Sequence, residues 1–422
     1  MAGPAGEEPT RTASPGPGRG PGPGVGLALE AQAPAVPARG IDLVFLAAVL
    51  ALVAVGSIEI YSSSAVYALQ KFGSSTYFLV RQAIYLTLGL GAMLLGAEID
   101  YRRYRRWVYV LLFGSIALLA GVLVFGARVN EARRWFHLGP LSFQPVEVAK
   151  FALVAYLAYS LARKREKVRT FTVGFMPHLA VCGLMMALLL KQPDLGSSII
   201  LGASTLIILF IAGTKLSYIL LALLAATPLV YHSIVSTSWR LKRLLAYLDP
   251  WQFRRGTGYQ ITESLIAIGS GGFGGLGLGD GKQRLFYLPE AHTDFILSSI
   301  GEELGFVGLA AVIVLFVVLL VRGVRAALGA RDAFGAYLAA GLTTVFALQA
   351  LINAGVVLGA LPAKGLTLPF VSYGGTSLVV SMFLAGVILN VSKAEPARPT
   401  GARAAERTPQ NKRRPRRVRV VT

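Results

Sequence analysis

Charged residues are scarce in this sequence, and acidic residues are the scarcer kind. Only 15% of the 422 residues are charged, and 21 residues in all are Asp or Glu. A soluble globular domain carries roughly 25% charged residues, whereas 54% of this chain is hydrophobic. The composition therefore predicts a membrane protein.

Cysteine is almost absent. Cys182 is the single cysteine, so a disulfide framework is excluded, and its place in an apolar run indicates packing. The net charge of +20 does not indicate nucleic acid, because 10 of the 41 basic residues occupy the last 30 positions. Basic residues at a chain end and between apolar segments suit contact with anionic membrane lipid and control of topology.

Apolar runs of about 20 residues, enough to cross a bilayer, occur ten times. They cover 41–61, 77–98, 107–125, 146–162, 174–190, 195–212, 216–235, 295–321, 334–357 and 374–392. We therefore predict an all-α, polytopic integral membrane domain over 41–393 with about ten helices. The Pro- and Gly-rich residues 1–40 and the basic residues 394–422 are predicted to be disordered cytoplasmic tails.

The basic residues of the short loops predict the orientation. With the N-terminus inside, the inner loops hold 13 Lys and Arg residues and the short outer loops hold six, as the positive-inside rule requires. Both termini are then cytoplasmic, and a large loop of about 236–294, between the seventh and eighth helices, lies outside. That loop is net positive, which suggests that it binds an anionic, lipid-linked group.

Glycine is also concentrated at 269–281, where eight of 13 residues are glycine. The run matches neither a P-loop nor a Rossmann fingerprint, so a mobile or re-entrant loop is the better interpretation. A cluster of ionisable residues follows it.

The stretch PEAHTDF, 289–295, belongs to this cluster. Pro289 suits the first position of a helix, which would place Glu290 and Asp294 one turn apart on the same face. Neighbouring carboxylates near a membrane repel each other, so either is a candidate general base or cation ligand. The alternative is a capped, solvated helix start. His292 is interpreted as a hydrogen-bonding support.

A second polar stretch runs from 132 to 150. Arg133 and Arg134 beside Trp135 combine phosphate binding with stacking on a sugar or lipid head. Interfacial anchoring is the alternative, and for Trp135 alone it is favoured. Glu147 and Lys150 open the fourth span, where a buried ionisable residue is costly and usually functional.

Two shorter outer segments complete the candidates. Lys191 and Asp194 flank a tight turn and form either a surface ion pair or part of a site. In 361–377, two prolines interrupt the helix near the outer face, and irregular backbone at that depth is tolerated where it lines a cavity. Lys364, Ser372 and Tyr373 are therefore candidate cavity-lining residues.

In this order, these stretches resemble the SEDS family (shape, elongation, division and sporulation) over residues 41–393. The resemblance rests on RRWFHLGPLSFQPVEVAK, DPWQFRRGTGYQITESLIAIGSGG, RLFYLPEAHTDFILSSIGEELG and LPAKGLTLPFVSYGGTS. Two further stretches, YSSSAVYALQKFGSSTYFLVRQ and LFYLPEAHTDF, are more like the division branch of the family than the elongation branch.

The resemblance implies a ten-span peptidoglycan glycosyltransferase. Such an enzyme polymerises lipid II, a lipid-linked disaccharide-pentapeptide, into glycan strands at the outer face of the bacterial inner membrane, at the division septum. It also implies a class B penicillin-binding transpeptidase and other division proteins as partners. The essential acid of the family falls on Asp294, and the outer-loop motif on Arg134, Trp135 and Lys150. Its short-turn motif falls on Lys191 and Asp194.

The hypothesis is that Asp294 acts as general base while Arg134, Lys150 and Lys364 stabilise the leaving pyrophosphate. A divalent cation, Mg²⁺ or Mn²⁺, could share that charge. A lipid II flippase is the first alternative, with Gln349 and Asn353 as polar groups inside a span. A non-catalytic scaffold that recruits the transpeptidase is the second.

Overall fold

The computed structural model describes residues 40–129, 132–139, 141–282 and 291–393. Both predicted tails therefore lie outside the described residues, apart from residue 40. The α-helices are α1 Leu43–Phe72, α2 Tyr77–Glu98, α3 Tyr104–Phe125, α4 Pro145–Arg163, α5 Met176–Lys191, α6 Leu195–Ile211, α7 Leu216–Val235, α8 Ser238–Leu248, α9 Tyr259–Gly271, α10 Ile296–Glu303, α11 Gly305–Leu328, α12 Ala333–Val357 and α13 Gly375–Ser392. Three antiparallel strands, β1 Ala127–Val129, β2 Ala132–Leu138 and β3 Leu141–Phe143, form a small sheet in the order β1-β2-β3.

The predicted polytopic helical fold is confirmed. Within the described ranges, nine helical segments are long and apolar enough to cross a membrane, and α6, with 17 residues, is a shorter apolar helix. Helices α4 and α13 are the most buried of these segments, at 83% and 72% of their apolar windows. They therefore form the centre of the bundle, while α7, only 6% buried, lies at its edge.

The eighth predicted span, 295–321, is wrong at both ends. The chain forms the separate short helix α10, and the long helix α11 begins only at Gly305 and ends at Leu328. Gly305 has φ +64°, a left-handed conformation that favours glycine. A Cβ at this position would also overlap the backbone nitrogen of Gly275. The predicted span ran across this break, although Glu302 and Glu303 lie directly before it.

Ion pairs hold one end of the bundle together. Asp42, before α1, pairs with Arg322 near the end of α11 at 2.7 Å. Asp332, before α12, pairs with Arg105 at 2.6 Å. Lys393, after α13, lies 3.2 Å from a carboxylate oxygen of Glu98. These helix ends share one side, as the predicted up-and-down topology requires, and we call it the arginine-rich end.

The glycine-rich segment packs tightly on α10. The backbone nitrogens of Leu276 and Gly277 donate to the carbonyls of Glu302 and Glu303, each at 3.0 Å. A Cβ at Gly271 would overlap the carbonyl oxygen of Gly301. Glycine is therefore needed here for close backbone approach, and of the two predicted forms, a mobile or a re-entrant loop, these contacts speak against the mobile one in the described part of the run.

The carboxylates at the end of α10 bind the same segment. Glu303 accepts hydrogen bonds from the backbone nitrogen of Gly279 at 3.0 Å and from the Ser62 hydroxyl of α1 at 2.6 Å. Glu302 accepts from the backbone nitrogen of Lys282 at 2.8 Å. Both side chains are 2% exposed, so they anchor the glycine-rich segment between α1 and α10.

Candidate functional site

Asp294 lies in a turn and not on a helix. Residues 291–295 form turns, and α10 begins only at Ile296. The predicted helical conformation is therefore wrong for 291–295, whereas Pro289 itself lies outside the described residues. Glu290 lies outside the described residues, so its predicted pairing with Asp294 stays a prediction.

Three successive carbonyls of this turn are held by other elements. The backbone nitrogen of Tyr373 donates to the carbonyl of His292 at 3.0 Å. The Ser372 hydroxyl donates to the carbonyl of Thr293 at 2.6 Å. The Nδ2 amide of Asn353, on α12, donates to the carbonyl of Asp294 at 2.8 Å. The turn is thereby fixed to α12 and to the loop between α12 and α13.

The carboxylate of Asp294 lies against Gly365. A Cβ at Gly365 would be 3.0 Å from Oδ2 of Asp294, so the absence of a side chain leaves room for the carboxylate. Lys364, the preceding residue, is half-buried. Burial lowers its pKa, and the negative charge of Asp194 acts in the opposite direction.

The tight turn between α5 and α6 joins the site through β2. Nε of Arg134 donates to the carbonyl of Gln192 at 3.1 Å, and Nη2 donates to the carbonyl of Pro193 at 2.5 Å. Asp194 caps α6 by accepting from the backbone nitrogen of Ser197 at 3.0 Å. Arg134 therefore fixes β2 to this turn and keeps its remaining N–H groups for other acceptors.

The predicted surface pair of Lys191 and Asp194 is not among the ion pairs of the described residues. Lys191 is exposed at the end of α5, whereas Asp194 is 6% exposed at the start of α6. The turn directs the carboxylate inward, where it caps α6 and interacts with the charge of Lys364.

Arg133, Arg134 and Trp135 do not act as one group. The sheet register shifts here, because Ala127 pairs with Trp135 and Arg128 pairs with Arg133, so Arg134 is the extra residue of a β-bulge. Arg133 donates to the carbonyls of Leu123 and Val124, at 3.1 and 2.8 Å, at the end of α3. Arg133 and Arg134 therefore bind different elements, the end of α3 and the turn between α5 and α6, and stacking by Trp135 stays a prediction.

Lys150 is not a free cation. Its ammonium lies 2.7 Å from Oε2 of Glu147, three residues earlier on α4, and the two side chains are 3% and 7% exposed. Both were correctly predicted to be buried ionisable residues. Because they neutralise each other, Lys150 does not offer a free positive charge to an anionic substrate.

The sequence analysis missed two arginines on α8. Burial and the charge of Arg134 lower the pKa of Arg243, while the charge of Asp294 raises it. Burial and the charge of Arg134 likewise lower the pKa of Arg240. Both arginines are thus close enough to Arg134 to interact with its charge, and Arg243 also interacts with the charge of Asp294. The available signal was two arginines three residues apart on an amphipathic helix of the positive outer loop.

The position of α8 is fixed by Tyr247, whose hydroxyl donates to the carbonyl of Ala360 at 3.0 Å. This bond ties α8 to the loop that carries Lys364.

His292 packs among aromatic rings. Its ring centre lies 4.8 Å from that of Phe78, 5.8 Å from that of Tyr373 and 6.2 Å from that of Tyr67. Arg81, which the sequence analysis did not single out, hydrogen bonds to Tyr373. These rings pack around the turn before Asp294, and the predicted hydrogen-bonding role of the His292 side chain stays a prediction.

In the described ranges, the side chains do not form a binding site for a divalent cation. Within them, no three His, Cys, Asp or Glu side chains converge in an arrangement that could hold a metal ion. The basic side chains around Asp294 are positively charged, so this region suits an anion and not a metal cation. The predicted divalent cation, Mg²⁺ or Mn²⁺, therefore stays a prediction.

The site lies at the end of the bundle opposite the arginine-rich end. Asn353 is 21 residues beyond Asp332, which is about 30 Å along an α-helix. Fold and site together define a polytopic membrane protein. Its loops hold a half-buried carboxylate and several basic side chains at one end of the helix bundle.

Comparison with known proteins identifies the family. The profile of the cell cycle protein family of FtsW, RodA and SpoVE matches residues 42–396. The chain belongs to this family, and the resemblance drawn from the sequence motifs is confirmed.

Several relatives are similar over most of their length. A probable peptidoglycan glycosyltransferase FtsW from Geobacter metallireducens is 47% identical over 353 residues, which cover 83% of this chain and 94% of that protein. The stage V sporulation protein E of Bacillus subtilis is 40% identical over 355 residues, covering 83% and 97%.

Solved structures show the same fold. A chain from a peptidoglycan synthase complex, studied for its coordination of polymerization and crosslinking, aligns with a TM-score of 0.71 at 32% identity and covers 84% of this chain and 98% of that chain. The rod shape determining protein RodA of Thermus thermophilus aligns with a TM-score of 0.64 at 30% identity, covering 85% and 99%.

Proposed function

We propose that this protein is a peptidoglycan glycosyltransferase that polymerises lipid II into glycan strands during septal cell-wall synthesis. Family membership and relatives named as peptidoglycan glycosyltransferases support the activity. The observation that carries the site assignment is the carboxylate of Asp294, which lies against Gly365 and interacts with the charge of Arg243.

In the proposed reaction, Asp294 acts as the general base. The 4-hydroxyl of the acceptor sugar attacks the anomeric carbon of the growing strand and loses its proton to the carboxylate. A glycosidic bond forms between that oxygen and the anomeric carbon. The bond from the anomeric carbon to the lipid pyrophosphate breaks, and the electron pair leaves with the phosphate oxygen.

The leaving pyrophosphate needs positive charge. Arg134, Arg243 and Lys364 come from three different elements around Asp294, and cations arranged in advance stabilise a developing anion. Arg243 takes the place that the sequence analysis had given to Lys150. The paired Glu147 and Lys150 would support this region from within α4.

The protein is a multi-pass membrane protein, and we infer its setting from the same family. The proposal places it in the cytoplasmic membrane at the division septum, with both termini in the cytoplasm and the site outside. A class B penicillin-binding transpeptidase is the proposed partner, with other division proteins around it. The similar chain from a peptidoglycan synthase complex supports this pairing.

The test is polymerisation of lipid II by the purified full chain with its transpeptidase partner in detergent. The variant Asp294→Asn should lose about 100- to 10,000-fold in rate, the usual contribution of a general base, while its thermal midpoint and partner binding stay normal. A folded, partner-bound Asp294→Asn protein with the wild-type rate would refute the catalytic assignment.

The same assay separates the alternatives. A flippase or a scaffold would make no glycan in detergent, where there is no membrane to cross. Asn353, a candidate for a transport path, uses its amide to hold backbone carbonyls, which favours the polymerase over the flippase.

A further inference from the structure

One buried amide joins the two loops that form the site. Asn353, near the end of α12, is 1% exposed. Its Nδ2 group donates to the carbonyl of Asp294 at 2.8 Å and to the carbonyl of Leu366 at 2.7 Å. Both amide hydrogens are therefore used, each on a different loop.

The two loops bonded by Asn353 carry groups of the proposed site. The turn 291–295 holds Asp294, and the loop between α12 and α13 holds Lys364 and Gly365. The Oδ2 atom of Asp294 lies 3.0 Å from where a Cβ of Gly365 would be. Asn353 thus sets the separation of these loops through the backbone of the residue that carries the carboxylate.

A second bond strengthens the same connection. The Ser372 hydroxyl donates to the carbonyl of Thr293 at 2.6 Å and accepts from the backbone nitrogen of Leu368 at 2.8 Å. The turn is therefore held on two successive carbonyls. Of these two donors, the Ser372 hydroxyl belongs to a loop and the Asn353 amide belongs to the helix α12. A helix is a rigid element that does not follow the movements of the loops.

We propose that Asn353 is a positioning residue, which fixes the carboxylate of Asp294 against Gly365, where it takes the proton of the attacking hydroxyl. This inference rests on the proposed glycosyltransferase function. A buried amide inside a membrane span is costly and is usually retained for function. Its use here is geometric, because a displacement of about 1 Å at a reacting group costs about 100-fold in rate.

Asn353→Leu removes both donors at similar volume. The expected result is a fall in kcat of about 10- to 100-fold, with KM for lipid II changed less than about twofold. KM is maintained because Arg134, Arg243 and Lys364 still bind the pyrophosphate. A residue that only supported the fold would lower the amount of folded protein without separating kcat from KM.

Gln349→Leu is the matched control. Gln349 lies one turn earlier on α12 and is 3% exposed, and none of the hydrogen bonds in the described ranges joins it to either loop. This variant removes a buried amide from the same helix and should keep kcat within about twofold. If Asn353→Leu does not fold, Asn353→Asp serves instead, because it keeps the shape and replaces the two donors by an acceptor.

Hydrogen exchange supplies an independent readout. The backbone amides of 366–373 should exchange faster in Asn353→Leu than in the wild type or in Gln349→Leu.

The outcomes separate this inference from the proposed function. If the wild type makes no glycan, or Asp294→Asn keeps full activity, the proposed function fails. If both behave as expected but folded Asn353 variants keep kcat within about twofold, or change only KM, the positioning role is overturned. A loss in kcat that Gln349→Leu shares equally overturns it too.

Discussion

Adding one methyl group at Gly365 should displace the catalytic carboxylate. In Gly365→Ala the new Cβ would lie 3.0 Å from Oδ2 and 3.9 Å from Cγ of Asp294, whereas ordinary contact begins at 3.4 Å. The carbonyls of the Asp294 turn are held by Asn353 and Ser372, so the backbone cannot retreat easily. The side chain must rotate away by about 0.4 Å.

The size of the effect follows from this displacement. If a shift of 1 Å costs about 100-fold, a shift of 0.4 Å costs between about 5- and 10-fold in kcat. This corresponds to about 1.0 to 1.4 kcal/mol in the activation free energy. Gly365→Val, with two more methyl groups, should cost more. KM for lipid II should stay within about twofold, because the cations are not displaced.

The assay is steady-state polymerisation of lipid II by the purified complex, with the thermal midpoint measured in the same detergent. Gly256→Ala is the matched control, because its Cβ would meet only the carbonyl oxygen of Phe253, at 3.8 Å. The reasoning is refuted if folded Gly365→Ala keeps the wild-type kcat. It is also refuted if only KM changes, or if Gly256→Ala loses as much.

Two further predictions concern charge and packing. Burial lowers the pKa of Lys364, so its positive charge, and the activity that needs it, is present at low pH and lost as pH rises through that lowered pKa. Lys364→Arg should move the alkaline limb of the pH–rate profile upward by about two units or more, since arginine stays protonated; superimposable limbs would contradict a role for this charge. In the second prediction, a Cβ at Gly271 would overlap the carbonyl of Gly301, so Gly271→Ala should lower the free energy of unfolding by about 1–3 kcal/mol. Gly269→Ala, on the same helix with nothing within 4 Å, should be neutral or stabilising, and equal thermal midpoints for the two variants would contradict the packing argument.

Much of the site was visible in the sequence as separate residues. Asp294, Arg134, Lys364, Ser372 and Tyr373 were all singled out, and the structure brings them to one end of the bundle. Their individual contacts were not visible. Arg133 and Arg134 are neighbours in sequence, yet Arg133 binds the end of α3 whereas Arg134, in a β-bulge, binds the α5–α6 turn.

Charge pairing was the main source of error. Lys150 and Glu147 look like two functional groups in the sequence, and their 2.7 Å ion pair makes them one neutral unit. Lys191 and Asp194 look like a pair, but the turn between them points their side chains apart. Which charges remain free depends on distances between side chains, and sequence spacing constrains those distances only loosely.

Composition and hydropathy by themselves determined the class of protein, the approximate number of helices and their alternating direction. These properties follow from the length of apolar segments and the placement of Lys and Arg, which are local and additive along the chain. The family motifs then indicated the reaction and the carboxylate proposed to act in it.

Tertiary structure alone decided what surrounds that acid. Arg243 reaches the site because Tyr247 ties α8 to the loop after α12, and Asn353 reaches it because α12 passes behind two loops 72 residues apart. The break at Gly305 likewise depends on how closely the segment at Gly275 approaches. Each is a contact between distant parts of the chain, and such contacts are fixed only when the whole bundle has packed.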